Sequence, residues 1–121
     1  MARVTHFDIS ADNPEKLQPF YQDIFGWEFE KWTGPMDYWL ITTGPEDKPG
    51  INGGLAKRQA DNSVVNTIEV ENIDSVIEKV LAQGGKVVVE KGPIPGVGWF
   101  AQLEDPERNC MGIMQPEEGA K

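Results

Sequence analysis

The feature that most constrains this chain is a single pattern of elements written twice. In the first pass Thr5 to Ser10 alternates polar and apolar residues, with Phe7 and Ile9 on one face and His6, Asp8 and Ser10 on the other. That is the period of a half-buried strand. Asp12-Asn13-Pro14-Glu15 follows as an N-cap signal with proline near the first helical position. Leu17, Phe20, Tyr21 and Ile24 then recur at helical spacing, and the helix is expected to stop before Gly26. Strand-like runs come next at Trp27 to Trp32, Tyr38 to Thr43 and about Gly53 to Lys57, separated by the turn signals Gly34-Pro35 and Gly44 to Gly50.

The second pass keeps this order. Val64 to Val70 reads as a strand, Glu71-Asn72 leads into a helix carrying Ile73, Val76, Ile77, Val80 and Leu81, and Gly84-Gly85 ends it. Further strands read at Lys86 to Val89, Gly98 to Glu104 and Cys110 to Gln115, with loops at Gly92 to Gly96 and Glu104 to Glu107. Gly26 and Gly85 are 85 − 26 = 59 residues apart, and the same offset sets Asp12-Asn13 against Glu71-Asn72 and Ile9 against Ile68.

Each pass supplies four short strands and one helix, a sheet with one face that a single helix leaves uncovered. The repeat therefore predicts an α+β fold of two tandem βαβββ modules, forming a curved eight-stranded mixed sheet with the helices outside and a cavity inside. With 121 residues, one domain spanning 1–121 is expected. Module one covers about 1–58, module two about 64–117, and the polar, aperiodic stretch from Arg58 to Ser63 links them.

Composition narrows the classes of function. Apolar residues at 39% are too many for a disordered chain, and no apolar run approaches the roughly 20 residues of a membrane span. A formal net charge of −9 disfavours nucleic acid, whose binding relies on Lys and Arg neutralising phosphates. The one cysteine, Cys110, has no internal disulfide partner, and Met1 to His6 runs straight into strand pattern without a secretory series, so a cytoplasmic location is expected. No G-x-S-x-G elbow, paired-cysteine zinc site, H-E-x-x-H helix or phosphate-binding G-x-x-x-x-G-K-[ST] occurs.

Several spaced motifs now carry a resemblance. Phe20-Tyr21 with Phe25-Gly26-Trp27 resembles the first-helix signature of the vicinal-oxygen-chelate superfamily: glyoxalase I, the bleomycin-resistance proteins and the extradiol dioxygenases. Gly84-Gly85-Lys86-Val87, then Gly92 to Gly98, then Asp105-Pro106-Glu107-Arg108-Asn109 resembles its second half, so the likeness spans essentially the whole chain. Arg108 departs from the glycine usual in that last turn, and Asn109 is expected to take the left-handed conformation instead.

The resemblance implies a metal bound by one side chain from the first and one from the last strand of each module. Here His6 matches, but its offset partner is Val65, and the last-strand positions fall on Gly54 and Gly112. One donor of four leaves no metal site and no cofactor expected. Gly and Val in place of ligands are expected to make the cavity roomier and more apolar.

Alternation puts Asp8 on the face of His6, and the repeat adds Thr67 and Glu69 from the equivalent strand. His6, Asp8 and Glu69 are the candidate acid/base residues. Thr67, Trp39, Trp99, Gly54, Gly112, Cys110 and Met114 are the candidate ligand contacts, the two tryptophans as a stacking wall at the cavity rim. Against these stand ordinary roles: a tolerated strand histidine, tryptophans that pack a core, and a cysteine acting as a small hydrophobe. Three functions remain open at this point. They are binding or sequestration of a small organic molecule without a metal, a metal-independent isomerase or lyase using His6 with Asp8 or Glu69, and a structural partner domain without a ligand. A homodimer is expected from the resemblance.

Overall fold

The computed structural model describes residues 1–58 and 63–117. Its elements are β1 (Arg3–Ala11), α1 (Pro14–Phe25), β2 (Glu28–Lys31), β3 (Tyr38–Thr42), β4 (Gly53–Lys57), β5 (Val64–Glu69), α2 (Ile73–Ala82), β6 (Lys86–Ile94), β7 (Gly98–Glu104) and β8 (Cys110–Pro116). The βαβββ order thus occurs twice, in an α+β chain with a mixed eight-stranded sheet of order β2-β3-β4-β1-β5-β8-β7-β6. No helix among the described residues is long and apolar enough to cross a membrane. The linker expected at Arg58 to Ser63 falls largely on residues 59–62, outside those described.

The chain divides into two compact units, His6–Val65 and Met1–Thr5 with Asn66–Lys121. In the first unit β1 runs parallel to β4, with Asp8 opposite Gly54, while β4, β3 and β2 are antiparallel. Asn13 caps α1 by accepting from the Lys16 amide, with Pro14 in the first turn. At its other end Gly26 takes the left-handed conformation at φ 73°, so its amide reaches the Gln22 carbonyl. Ile9, Ala11, Ile41 and Leu55 are buried at the centre, with Phe7, Leu17, Tyr21, Trp27, Phe29 and Trp39 packed around them. Phe7 and Ile9 therefore face the helix, and strand alternation turns His6 and Asp8 to the opposite side.

The second unit repeats this plan. β5 runs parallel to β8 with Thr67 opposite Gly112, and β8, β7 and β6 are antiparallel. Asp8–Gly54 and Thr67–Gly112 are thus equivalent pairs, offset by 67 − 8 = 59 and 112 − 54 = 58 residues. The core is Val70, Ile73, Ala101, Leu103 and Ile113, and Val76, Ile77 and Val80 of α2 pack on it. Asn72 caps α2 by accepting from the Ser75 amide, and the Gln115 side chain satisfies the amide of Ile73.

Two local expectations are corrected. Gly92, Pro93 and Ile94 are strand rather than loop, pairing with Phe100, Trp99 and Gly98, because irregularities between Val87 and Gly92 let β6 continue. Proline is tolerated there because β6 is an edge strand. In the turn after β7 it is Arg108 itself, not Asn109, that is left-handed, at φ 66°. Asp105 holds that turn by accepting from the Glu107 and Asn109 amides and from Asn109 Nδ2.

Candidate functional site

In the first unit, the sheet face turned away from α1 carries a polar cluster. His6 and Asp8 lie two residues apart on β1, so both project to that side, and Tyr38 enters it from the start of β3. Tyr38 Oη donates to Asp8 Oδ1 at 2.5 Å. His6 Nε2 sits 2.8 Å from Tyr38 Oη and 3.2 Å from Asp8 Oδ1. The histidine and aspartate side chains remain 32% and 29% exposed, so the cluster is only partly buried. Trp32 meets the Tyr38 ring edge-on at 5.9 Å between centroids.

Proton positions follow from the partners. The Tyr38 proton is committed to Asp8, so its oxygen can only accept from His6, and the Asp8 carboxylate is likewise an acceptor. With the phenol proton turned to Asp8, the Nε2–H tautomer is the one that suits both contacts. Burial first, then the Asp8 charge, then the hydrogen bond to Asp8 hold the Tyr38 phenol far above its ordinary pKa, so it stays a donor.

Gly54 explains how the phenol fits. A Cβ on residue 54 would lie 1.6 Å from Tyr38 Oη and 2.7 Å from Asp8 Oδ1. The tyrosine ring fills the space that the missing side chain vacates, which corrects the expectation of a roomier cavity at this position. The second unit does the same. A Cβ on Gly112 would meet Phe100 Cε2 at 2.9 Å and Thr67 Oγ1 at 2.8 Å. Leu40 is opposite Gly54 and Gln102 opposite Gly112, so Tyr38 and Phe100, each two residues earlier, are counterparts in the repeat.

The remaining candidates divide. Thr67 is buried at 3% exposure, and its Oγ1 has no hydrogen-bond partner among the described residues. Glu69 is exposed and pairs with Met114; Met114 lies opposite Phe100 on the face of Gly112. Cys110 is half-buried on β8, and burial raises its thiol above the ordinary value, with the Glu104 charge adding to the effect. Trp39 and Trp99 are corrected: both pack against the cores on the helix side. Trp39 is opposite Leu55, which is itself opposite Ile9, and Trp99 alternates with Phe100, so neither shares the face of Asp8 or Gly112. A lysine caps each ring, Lys31 over Trp39 and Lys91 over Trp99, both at 4.9 Å.

Tyr38 and Trp32 were not among the sequence candidates. A glycine at a family ligand position with an aromatic on the neighbouring antiparallel strand was the available signal, but it needs the register of β3 on β4 to be read. A separate groove of about 300 Å³, lined by residues that include Asp12, Lys16 and Arg58, lies at the β1–α1 junction; there Arg58 Nε pairs with Asp12.

The donor set does not suit a chelated ion. Positions 54 and 112 are glycine and 65 is a buried valine, and no group of three or more His, Cys, Asp or Glu side chains converges among the described residues. Tyr38 is a poor substitute ligand because its phenol holds its proton.

The profile of the Glyoxalase/Bleomycin resistance protein/Dioxygenase superfamily matches residues 3–111. CFP32 of Mycobacterium bovis and of Mycobacterium tuberculosis, provisionally named a glyoxylase, is 38% identical over 47 residues, 39% of this chain. That match spans only 18% of the length of CFP32. Among solved structures, methylmalonyl-CoA epimerase from Mycobacterium tuberculosis has a TM-score of 0.69 at 11% identity, covering 94% of this chain and 87% of that one. The hypothetical protein BH1468 from Bacillus halodurans C-125 has a TM-score of 0.67 at 14% identity, covering 99% and 98%. A superfamily member from Vibrio splendidus 12B01 has a TM-score of 0.64 at 15% identity, covering 95% and 99%. At these identities the structures speak for the fold alone.

Proposed function

The chain belongs to the Glyoxalase/Bleomycin resistance protein/Dioxygenase superfamily, and as a member of it we propose that it binds a small organic molecule without a metal, at the His6–Tyr38–Asp8 cluster. One observation carries this reading. Where the resemblance calls for a metal-ligating side chain at position 54, the chain has glycine, and the phenol of Tyr38 occupies that space while hydrogen-bonded to Asp8 and His6. On this reading a neutral hydrogen-bonding group stands where the resemblance puts a chelating one, on a face that is still partly exposed. Thr67, opposite Gly112, is the corresponding position of the second unit.

The test is a thermal-shift screen of small aromatic amides, phenols and amines, run with and without a chelator. Stabilisation that survives chelation and is lost in His6→Gln supports the reading. Stabilisation that appears only with added Zn²⁺, Ni²⁺ or Fe²⁺ contradicts it.

A second reading, a metal-independent isomerase or lyase with His6 as acid or base, draws on the Asp8–His6 contact. A base oriented by a neighbouring carboxylate is the usual arrangement for proton transfer. Turnover that is lost in His6→Gln with binding retained separates it from pure sequestration. A cytoplasmic homodimer completes the proposal, and its oligomeric state is checked by light scattering on the purified chain.

A further inference from the structure

We infer that Tyr38 and Asp8 together lock His6 with its proton on Nε2, so that Nδ1 of the neutral ring is an unused acceptor, and that the site therefore selects amides, phenols or ammonium groups over carboxylates and phosphates. This rests on the small-molecule reading of the cluster and goes beyond it by naming the ligand's chemistry.

The first support is geometric. Tyr38 is a positioning residue: its oxygen can only accept from His6, and Asp8 Oδ1 is a second acceptor beside the same nitrogen. Among the described residues Nδ1 has no hydrogen-bond partner, so in the neutral ring its lone pair is the unused polar capacity of the cluster. A ligand satisfies it by donating an N–H or O–H. Against the neutral ring a carboxylate would set acceptor against acceptor.

The second support is the charge on the same face. Registers place Glu30, Leu40, Gly54 and Asp8 in one row across β2, β3, β4 and β1. That row carries two acidic residues and no lysine or arginine, so an anion gains no counter-charge there and meets repulsion from Asp8. Leu40, 40% exposed, and the Trp32–Tyr38 pair supply apolar surface beside it, which suits an aromatic or alkyl body with a donor group at one end.

The test uses the fact that His6 is the single histidine of the chain, so its ring nitrogens are identified without assignment. A long-range ¹H–¹⁵N correlation at about pH 8.5, where an ordinary imidazole is neutral, is expected to show the Nε2–H tautomer in the full-length protein. Tyr38→Phe should return the ring toward a mixture of tautomers, a change that a merely packing role for Tyr38 would not produce. A proton on Nδ1 in the wild type, or a tautomer unchanged by both Tyr38→Phe and Asp8→Asn, overturns the inference.

Benzamide, benzylammonium and benzoate are then titrated as matched probes. The first two should move the Nδ1 resonance and bind about ten-fold or more tighter than benzoate, the scale of one hydrogen bond made against one refused. Benzoate binding equally well overturns the selectivity. If none of the three moves the ring while the Nε2–H tautomer is in place, the small-molecule reading falls and with it the named ligand class. If the probes bind but the tautomer is wrong, only the positioning argument falls.

Discussion

The phenol oxygen of Tyr38 lies 1.6 Å from where the Cβ of residue 54 would stand, so Gly54 and Tyr38 share one volume. Any side chain at position 54 expels the ring. Gly54→Ala should therefore destabilise the protein by about 1–3 kcal/mol, the usual cost of overpacking, and break the bonds from Tyr38 to Asp8 and His6. Tyr38→Phe should not relieve it, since the ring carbon Cζ is also only 2.0 Å from that Cβ position. Tyr38→Ala should. Urea denaturation of the Gly54→Ala protein and of the two double mutants checks this, and a Gly54→Ala protein as stable as wild type would count against it.

Gly112 holds the equivalent place against Phe100, with Thr67 Oγ1 on its other side. Gly112→Glu should chiefly destabilise folding, since even its Cβ meets the ring and the hydroxyl at 2.9 and 2.8 Å. Pairing it with Phe100→Leu should recover part of the loss, measured as a rise in melting temperature. A Gly112→Glu protein that folds normally would show that the ring yields easily.

Much of the fold was legible because it rests on local rules. Phe7 and Ile9 alternate with His6 and Asp8, Asn13-Pro14 and Asn72 mark helix starts, and Gly26 and Gly84 take positive φ where helices end. The site was half legible. Alternation puts His6 and Asp8 on one face, but Tyr38 joins them across 30 residues of sequence, through the β3–β4 and β4–β1 registers that no local pattern states. Trp39 was misjudged for the same reason. Tyr38 and Trp39 are adjacent, and only the pairing of Trp39 with Leu55 tells which of the two turns toward the helix.

Tyr38 gives a signature at alkaline pH. Its folded pKa is raised, so its contribution is fully present below the unfolded value of about 10 and is lost as pH rises from there toward the folded value. Stability should fall above about pH 10, and Tyr38→Phe should flatten that fall, as read from urea midpoints at stepped pH. Parallel profiles for the two proteins would contradict the burial and bonding assigned to the phenol.

Arg108 holds a left-handed backbone at φ 66°, a region that costs a side-chain-bearing residue roughly 1–2 kcal/mol. Arg108→Gly should therefore raise stability by up to about 1 kcal/mol, the gain being trimmed by the greater freedom of glycine when unfolded. Thermal denaturation measures it. A lower melting temperature would mean that the Arg108 side chain makes a contact worth more than the backbone strain.

The account depends above all on the cluster being a metal-free site that offers His6 Nδ1 to a ligand. A crystal of the wild-type protein, purified without chelator and soaked in benzamide, tests this directly in the density beside His6. The predicted result is the amide N–H within hydrogen-bond distance of Nδ1, the Tyr38–Asp8 bond intact, and no ion on the ring. A metal ion coordinated by His6, or a benzamide-saturated crystal with nothing bound at Nδ1, would contradict it.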